Sequence, residues 1–257
     1  MSRMTLGVIF GNRDFFPDHL VTEARSDIRA LFADLHINGI MLDESATKLG
    51  GVETWNDSKL CADLFRRHAA EIDGVLVCLP NFGDEKGVAD TIKLSGLNVP
   101  ILVQAYPDNL DQFMVERRRD AFCGKVSVCN NLRQYGYAFT LTERHTVHPT
   151  DPSFRRDLQN FLGVCRVANG LRKVRLGAVG ARPGAFNTVR YSEKLLQAYG
   201  MTVTTLDLSE VLGWVARLPD EDGAVQGKLA DIKSYADYGS VPPPSLVKMA
   251  KLGVVIE

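Results

Sequence analysis

The chain has 257 residues, 45% of them hydrophobic, with 30 basic side chains against 31 acidic ones. That length allows two domains of ordinary size, each burying its own core. The balanced charge, in which Arg117, Arg118 and Arg119 form the block of like charge that stands out, argues against nucleic acid and membrane surfaces as partners.

From Met1 the sequence enters an apolar strand with no charged leader, long apolar stretch or cleavage site, so a soluble cytoplasmic protein is expected. In the first half, short apolar runs alternate with amphipathic stretches, the pattern of βαβ units around a parallel sheet. Strands are predicted at 5–10 (TLGVIF), 39–42 (GIML), 74–79 (GVLVCL) and 100–105 (PILVQA), and helices at 18–35, 57–72 and 85–95, the last closed by Gly96. After Pro107 the pattern turns helical and polar through 129–135, then extended over 137–142.

Pro149 and Pro152 mark the entry to a long helix, 154–169, and a domain boundary is placed near 145. The second unit repeats the first in outline, with a strand at 174–179, a helix at 188–199, a strand at 201–207 and weaker helical stretches, the last near 246–252. The expected fold is therefore α/β: two tandem Rossmann-like, three-layer αβα domains with mainly parallel sheets, 1–145 and 146–257, the second incomplete. Stopping at Glu257 with no polar tail suggests that more protein once followed. The cysteines, Cys61, Cys78, Cys123, Cys129 and Cys165, are odd in number and contain no CxxC pair, so neither disulfides nor structural zinc are expected.

Polar candidates collect at predicted strand tips. Asn12 and Arg13 with Phe15 and Phe16 follow the first strand, Asn81 and Phe82 the third, and Tyr106 the fourth. Aromatics, an Arg and amides at one sheet edge suit a polyhydroxylated ligand, whose hydroxyls need planar partners and whose C–H faces stack on rings. The same phenylalanines would equally pack against the next helix. Asn130 and Asn131 form another polar cluster, read either as ligand contacts or as helix caps. In RLGAVGARPGAFN, 175–187, a strand breaks into a Gly- and Pro-containing turn that leaves Arg182 and Asn187 exposed, either at a ligand crevice or in a plain connection. Its glycine spacing fits neither a dinucleotide nor a P-loop fingerprint. His145 and His148 lack a completing ligand, Glu143 is better read as a surface ion pair, and Glu221 with Asp222 sits in a polar turn. No catalytic set and no metal cage can be assembled from these residues.

Taken together, GNRDFFPDHL, GVLVCLPNFGD, CNNLRQYGYAF and RLGAVGARPGAFNTVRYSEKLL resemble the L-fucose isomerase and L-arabinose isomerase superfamily, most of all its fucose-isomerase-like members. The resemblance implies aldose–ketose interconversion through an enediol at a divalent metal, usually manganese, by a homo-oligomer, trimer or hexamer. It also implies that the metal ligands lie beyond the position matching Glu257, so that this span alone binds no manganese and is inactive: a truncated product, a fragment or half of a split enzyme. What carries over is a substrate rim. Asn12, Arg13 and Phe16 match a loop that reaches a neighbouring subunit's sugar site, Phe82, Asn130 and Asn131 match lining positions, and Arg182 with Asn187 matches a central-domain loop. The alternative from another class is a non-catalytic sugar-binding or regulatory module.

Overall fold

The computed structural model describes residues 3–109 and 111–257; Met1 and Ser2, on which the expectation of no leader partly rests, lie outside them. The chain divides into two compact units, Met1–Gly170 and Leu171–Glu257.

The first unit is the α/β sheet expected from the sequence. Five parallel strands, β1 (Thr5–Phe10), β2 (Asn38–Ile40), β3 (Gly74–Leu79), β4 (Ile101–Ala105) and β5 (Thr140–Leu141), lie in the order β2-β1-β3-β4-β5. Every residue of β1, β3 and β4 is buried, because the sheet is covered on both faces, which is why these strands read as continuous apolar runs. On one face Ile9, Val77 and Val103 pack with Cys61 and Phe65 of α2 (Trp55–Arg67), Val88 and Ile92 of α3 (Glu85–Ser95), and Val128 and Leu132 of α4 (Ala121–Gln134). On the other, Leu6, Val8, Leu76 and Leu102 meet Val21, Ile28 and Phe32 of α1 (His19–Asp34) and Phe154, Leu158, Phe161 and Cys165 of α5 (Pro152–Leu171).

Local signals set the element ends. Thr54 caps α2 through a capping box with Asp57, starting the helix two residues before the expected 57. Asp84 caps α3 by accepting from Gly87 N–H, and Gly96 in the left-handed conformation closes that helix where the sequence places its end.

Two features differ from the reading of the sequence. The extended segment expected over 137–142 contributes only Thr140 and Leu141 as a strand, and these pair with Leu102 and Val103 of β4 at the edge of the first sheet. The long helix read as the start of a second domain at 146 instead covers the first sheet with its buried face, and the compact units part between Gly170 and Leu171. The physical reason is that Phe154, Leu158, Phe161 and Cys165 bury their apolar side chains in one cluster with Leu76 and Leu102 of the sheet.

In the second unit, β6 (Arg175–Val179) and β7 (Thr202–Leu206) pair in parallel from Arg175↔Thr202 to Val179↔Leu206. All of their residues are exposed or half-buried. The helices are α6 (Glu193–Ala198), α7 (Leu208–Arg217), α8 (Gly223–Tyr235) and α9 (Pro243–Ile256). The helix expected over 188–199 begins only at Glu193, where the Ser192 side chain caps Leu195 N–H.

If α5 belongs to the first core, Phe161→Ala should lower the stability of the first unit by about 3–5 kcal/mol, the usual cost of emptying a buried Phe site. Urea unfolding of residues 1–171 measures this, and a loss under 1 kcal/mol would show that α5 is only loosely attached.

Candidate functional site

In the order β2-β1-β3-β4-β5 the connections diverge between β1 and β3, the switch point at which open α/β sheets hold ligands against the carboxyl ends of their strands. Polar side chains from three loops meet there. Just past β1, Asn12 N–H donates to Val52 O at 3.0 Å, while Val52 N–H donates to Phe10 O at 2.8 Å, so the segment leading to α2 runs beside the strand tip.

Asn12 is 1% exposed and its carboxamide is fully engaged. Its Nδ2 donates to Asp18 Oδ1 at 2.9 Å and to Glu53 Oε2 at 3.2 Å, and its Oδ1 accepts from Asn81 Nδ2 at 2.7 Å. Asn81, also buried, accepts from Gly83 N–H at 3.1 Å. A chain of hydrogen bonds thus ties the tips of β1 and β3 to the loop before α2. Asn12 is a strut rather than a free contact.

Around the strut lies an aromatic shelf. Phe16 stacks on Phe82 with centroids 5.8 Å apart and planes 24° from parallel, and Phe15 meets Phe16 edge-on at 5.5 Å. The exposed Arg13 lays its guanidinium over the Phe82 ring at 4.7 Å, and among the described residues it forms no ion pair. Phe16 is buried, Phe82 half-buried and Phe15 75% exposed, so both uses foreseen for these rings, packing and presentation, occur side by side. Gly124 in the first turn of α4 closes the far side, where a Cβ would run into the Phe82 carbonyl oxygen. Trp55, at the start of α2 and under the Lys86 ammonium at 5.3 Å, is a further exposed ring that the sequence reading passes over.

Charge at this edge is unevenly held. Lys48 pairs with Asp18 at 2.8 Å and reaches Asp14 at 3.8 Å. Burial opposes the charge of Asp18, but the hydrogen bonds from Lys48 and Asn12 outweigh it and hold this carboxyl below the usual carboxylate range. Burial pushes Glu53 the other way, upward, against Lys48 and Asn12, with Asp14 and Asp18 adding to the rise. One Glu53 oxygen, Oε1, is buried with no hydrogen-bond partner among the described residues.

The other expected residues fall elsewhere. Asn130 and Asn131 sit nine and ten residues beyond the start of α4, about 14 Å along the helix at 1.5 Å per residue, toward the opposite edge of the sheet. Asn130 is exposed, and the Asn131 amide donates back to Ser127 O at 3.3 Å. Tyr106 is not a rim group but a core one, its hydroxyl donating to Asp27 at 2.9 Å under Arg119. His145 and His148 go separate ways, to Phe122 O and to Asp27. Glu143 pairs with Arg156 at 3.5 Å on the surface. In the second unit Arg182 and Asn187 are exposed; Arg182 donates to Val189 O at 3.3 Å, faces Tyr191 and lines a pocket of about 490 Å³ beyond the end of β6.

Among the described residues no group of three His, Cys, Asp or Glu side chains is placed to hold a metal ion. The carboxylates nearest the strut are engaged by Lys48 and Asn12. The manganese that the resemblance implies therefore does not fit this edge. Among the same residues no helix is long and apolar enough to cross a membrane.

The first unit is thus a doubly wound α/β domain with a braced, ring-lined carboxyl edge. Residues 7–172 match the family model for the N-terminal domain of fucose/sulfoquinovose isomerases, and the chain belongs to that family. It is similar to the sulfoquinovose isomerases of Priestia megaterium (strain ATCC 12872 / QMB1551) and Priestia aryabhattai, at 27% identity over 106 residues in each case. That stretch is 41% of this chain and 23% of each relative.

Two buried cations, Arg25 and Lys125, escape the sequence reading. Lys125 of α4 is 0% exposed, and its Nζ donates to Thr142 Oγ1 at 2.6 Å and His145 O at 2.8 Å, clamping the segment after β5 to the helix. Burial lowers its pKa to about 8, although Cys129 and Asp157 nearby favour the charge. The native state thus gives up this proton more readily than the unfolded chain, so the cost of the buried charge is complete below about pH 8 and fades as pH rises toward 10.5. Stability should rise over that window, by at most about 1.4 kcal/mol per pH unit. Urea midpoints at pH 7.5 and 9.5 test it, and Lys125→Met should flatten the rise; an unchanged slope in the variant would assign it to other groups.

Proposed function

We propose that the chain is the sugar-facing part of an aldose–ketose isomerase, in which the β1–β3 edge supplies the rim of the substrate site. The observation that carries this is the Asn12–Asn81 strut presenting Arg13, Phe16 and Phe82 together at the switch point of a domain in the isomerase family. Rings take the C–H faces of a sugar, and a guanidinium with no carboxylate partner offers fork-shaped donors to its hydroxyls. That the two relatives are isomerases of a sugar, sulfoquinovose, supports the same reading.

In this reading the residues of this span bind and orient the sugar and keep water from its apolar faces. Manganese would polarise the carbonyl and hydroxyl of the substrate from ligands outside the span. The working form is a cytoplasmic homo-oligomer, trimer or hexamer, in which the loop of Asn12, Arg13 and Phe16 meets the sugar held by a neighbour. Arg182 and Asn187, taken by themselves, are sugar-lining candidates of the second unit.

Calorimetric titration of the chain with pentoses, 6-deoxyhexoses and sulfoquinovose tests the rim. We expect one sugar class to bind, Arg13→Ala to weaken it at least about tenfold, the scale of one lost hydrogen bond to a charged group, and the melting temperature to stay put. A variant that unfolds at lower temperature would make Arg13 structural. In a parallel isomerisation assay with added manganese the chain alone should be silent. Turnover there would place the metal ligands inside this span and overturn the division of labour, whereas binding without turnover in any longer form would favour a sugar-binding module.

A further inference from the structure

The loop that carries Asn81 and Phe82 is held from a second side, away from the Asn12 strut. β3 ends at Leu79, whose carbonyl still accepts from Tyr106 N–H at 3.0 Å. The next residue, Pro80, is buried, has no N–H of its own, and lies past the last strand pairing, Leu79↔Ala105. Its carbonyl therefore needs a donor from outside the sheet. That donor is Arg119 Nη1, at 2.8 Å, from the segment leading into α4. A buried carbonyl stripped of its donor loses more than the bond itself contributes, so the arginine and the loop are tied together.

Arg119 has little freedom. Its backbone N–H and that of Asp120 both donate to Asp108 Oδ1, at 3.2 and 3.0 Å, which fixes the chain on either side of its side chain. That side chain is 16% exposed, lies over the Tyr106 ring at 4.8 Å and sends Nη2 to Glu23 of α1 at 3.0 Å. Tyr106 is fixed in turn by its hydroxyl bond to Asp27. A planar fork with a stackable face makes all three contacts at once, and an ammonium cannot. Further along, Gly124 meets the same loop, pressing so closely on Phe82 that a Cβ would strike its carbonyl oxygen. The start of α4 thus holds Pro80 by a charged hydrogen bond and Phe82 by contact, while Asn81 between them is held by Asn12.

We propose that Arg119 is a positioning residue for the rim: through the Pro80 carbonyl its guanidinium sets where the β3 loop stands, and with it the Phe82 ring on which the Arg13 guanidinium lies at 4.7 Å. One arginine that meets the sugar is placed by another that does not. The inference rests on the rim reading above, since Arg13 and Phe82 are the sugar contacts that the loop presents. Its consequence is specific. Changing Arg119 moves the ring while leaving every group of the rim itself in the chain, so affinity for a sugar that stacks there falls through geometry rather than through a lost contact.

Amide hydrogen exchange of the whole chain reads the loop without any ligand. In Arg119→Met, which keeps an apolar stem over Tyr106 but donates nothing, exchange over 81–83, where Gly83 N–H donates to Asn81 Oδ1, should quicken at least about tenfold, the scale of one lost bond to a charged donor. β1 and β2 should keep their protection. Arg119→Lys, the milder change, can replace one of the two donated bonds and should quicken the same segment by less. Wild-type exchange over 81–83 in both variants overturns the proposal, and so does an equal loss across β1, β3 and β4 in the lysine variant, which would make Arg119 a general support of the fold. Titration of the wild type and Arg119→Met with the same sugar panel then separates the two ideas. No sugar bound by the wild type would defeat the rim reading and leave the hold on the loop standing. A sugar bound equally well by both proteins, with 81–83 loosened in the variant, would defeat the positioning role and leave the rim.

Discussion

A parallel sheet buried on both faces leaves polar side chains little room except beyond the ends of its strands. In the first unit β1, β3 and β4 are wholly enclosed between α2, α3 and α4 on one side and α1 and α5 on the other. The backbone carries the hydrogen bonding and aliphatic side chains fill the space, each fully buried one contributing about 1.5–3 kcal/mol. Chemistry is pushed outward to the carboxyl edge, and the strand order decides where along that edge it gathers. Where β1 and β3 lie side by side their loops turn to opposite faces, and the gap between them is spanned by Asn12 and Asn81.

Buried polar groups in this unit act as cross-braces between segments distant in sequence. Arg25 of α1, 1% exposed, donates to Leu42 O at 2.8 Å and lies over the Phe10 ring at 5.3 Å, which fixes the stretch that later delivers Val52 and Glu53 to the site. Lys125 does the same for the stretch after β5. In each case a charged head reaches backbone carbonyls or a hydroxyl that no strand partner satisfies, and leaving either side unpaired would cost more than the bond itself contributes.

Much of the fold was legible because burial writes itself as apolar runs: 5–10 and 74–79 stand as read, and Gly96 stops α3 as its φ of 65° requires. The division of the chain was not, because Phe154, Leu158, Phe161 and Cys165 form a stripe that says a helix is covered without saying by which sheet. The clustering of Arg13, Phe16 and Phe82 was readable from strand tips alone, whereas Asn130 and Asn131, equally polar in sequence, were carried by α4 to the other end of the layer. Lys125 did leave a trace. Ala121, Lys125, Val128 and Leu132 share one helical stripe, and a lysine in an otherwise apolar stripe is a buried cation awaiting acceptors. Glu53 left none, since its environment is made by Asn12, Asp14, Asp18 and Lys48, which come from other turns.

The rim also joins two demands that pull apart. A sugar-binding edge needs exposed rings, yet exposed rings lower solubility and tend to collapse onto their neighbours. Here Phe16 does collapse, and in doing so it supports Phe82, which supports the Arg13 guanidinium in turn. Of the rings in this stack and beside it, Phe15 and Trp55 keep half or more of their surface in solvent. The stack converts one buried phenylalanine into the orientation of a surface arginine, so the position of the cation depends on van der Waals contact below it and on the Asn12 strut beside it. Neither support uses a charge that would compete with a ligand for the guanidinium. That separation lets Asp14, Asp18 and Glu53 crowd the same edge, engaged through Lys48 and Asn12, while among the described residues the arginine has no carboxylate partner.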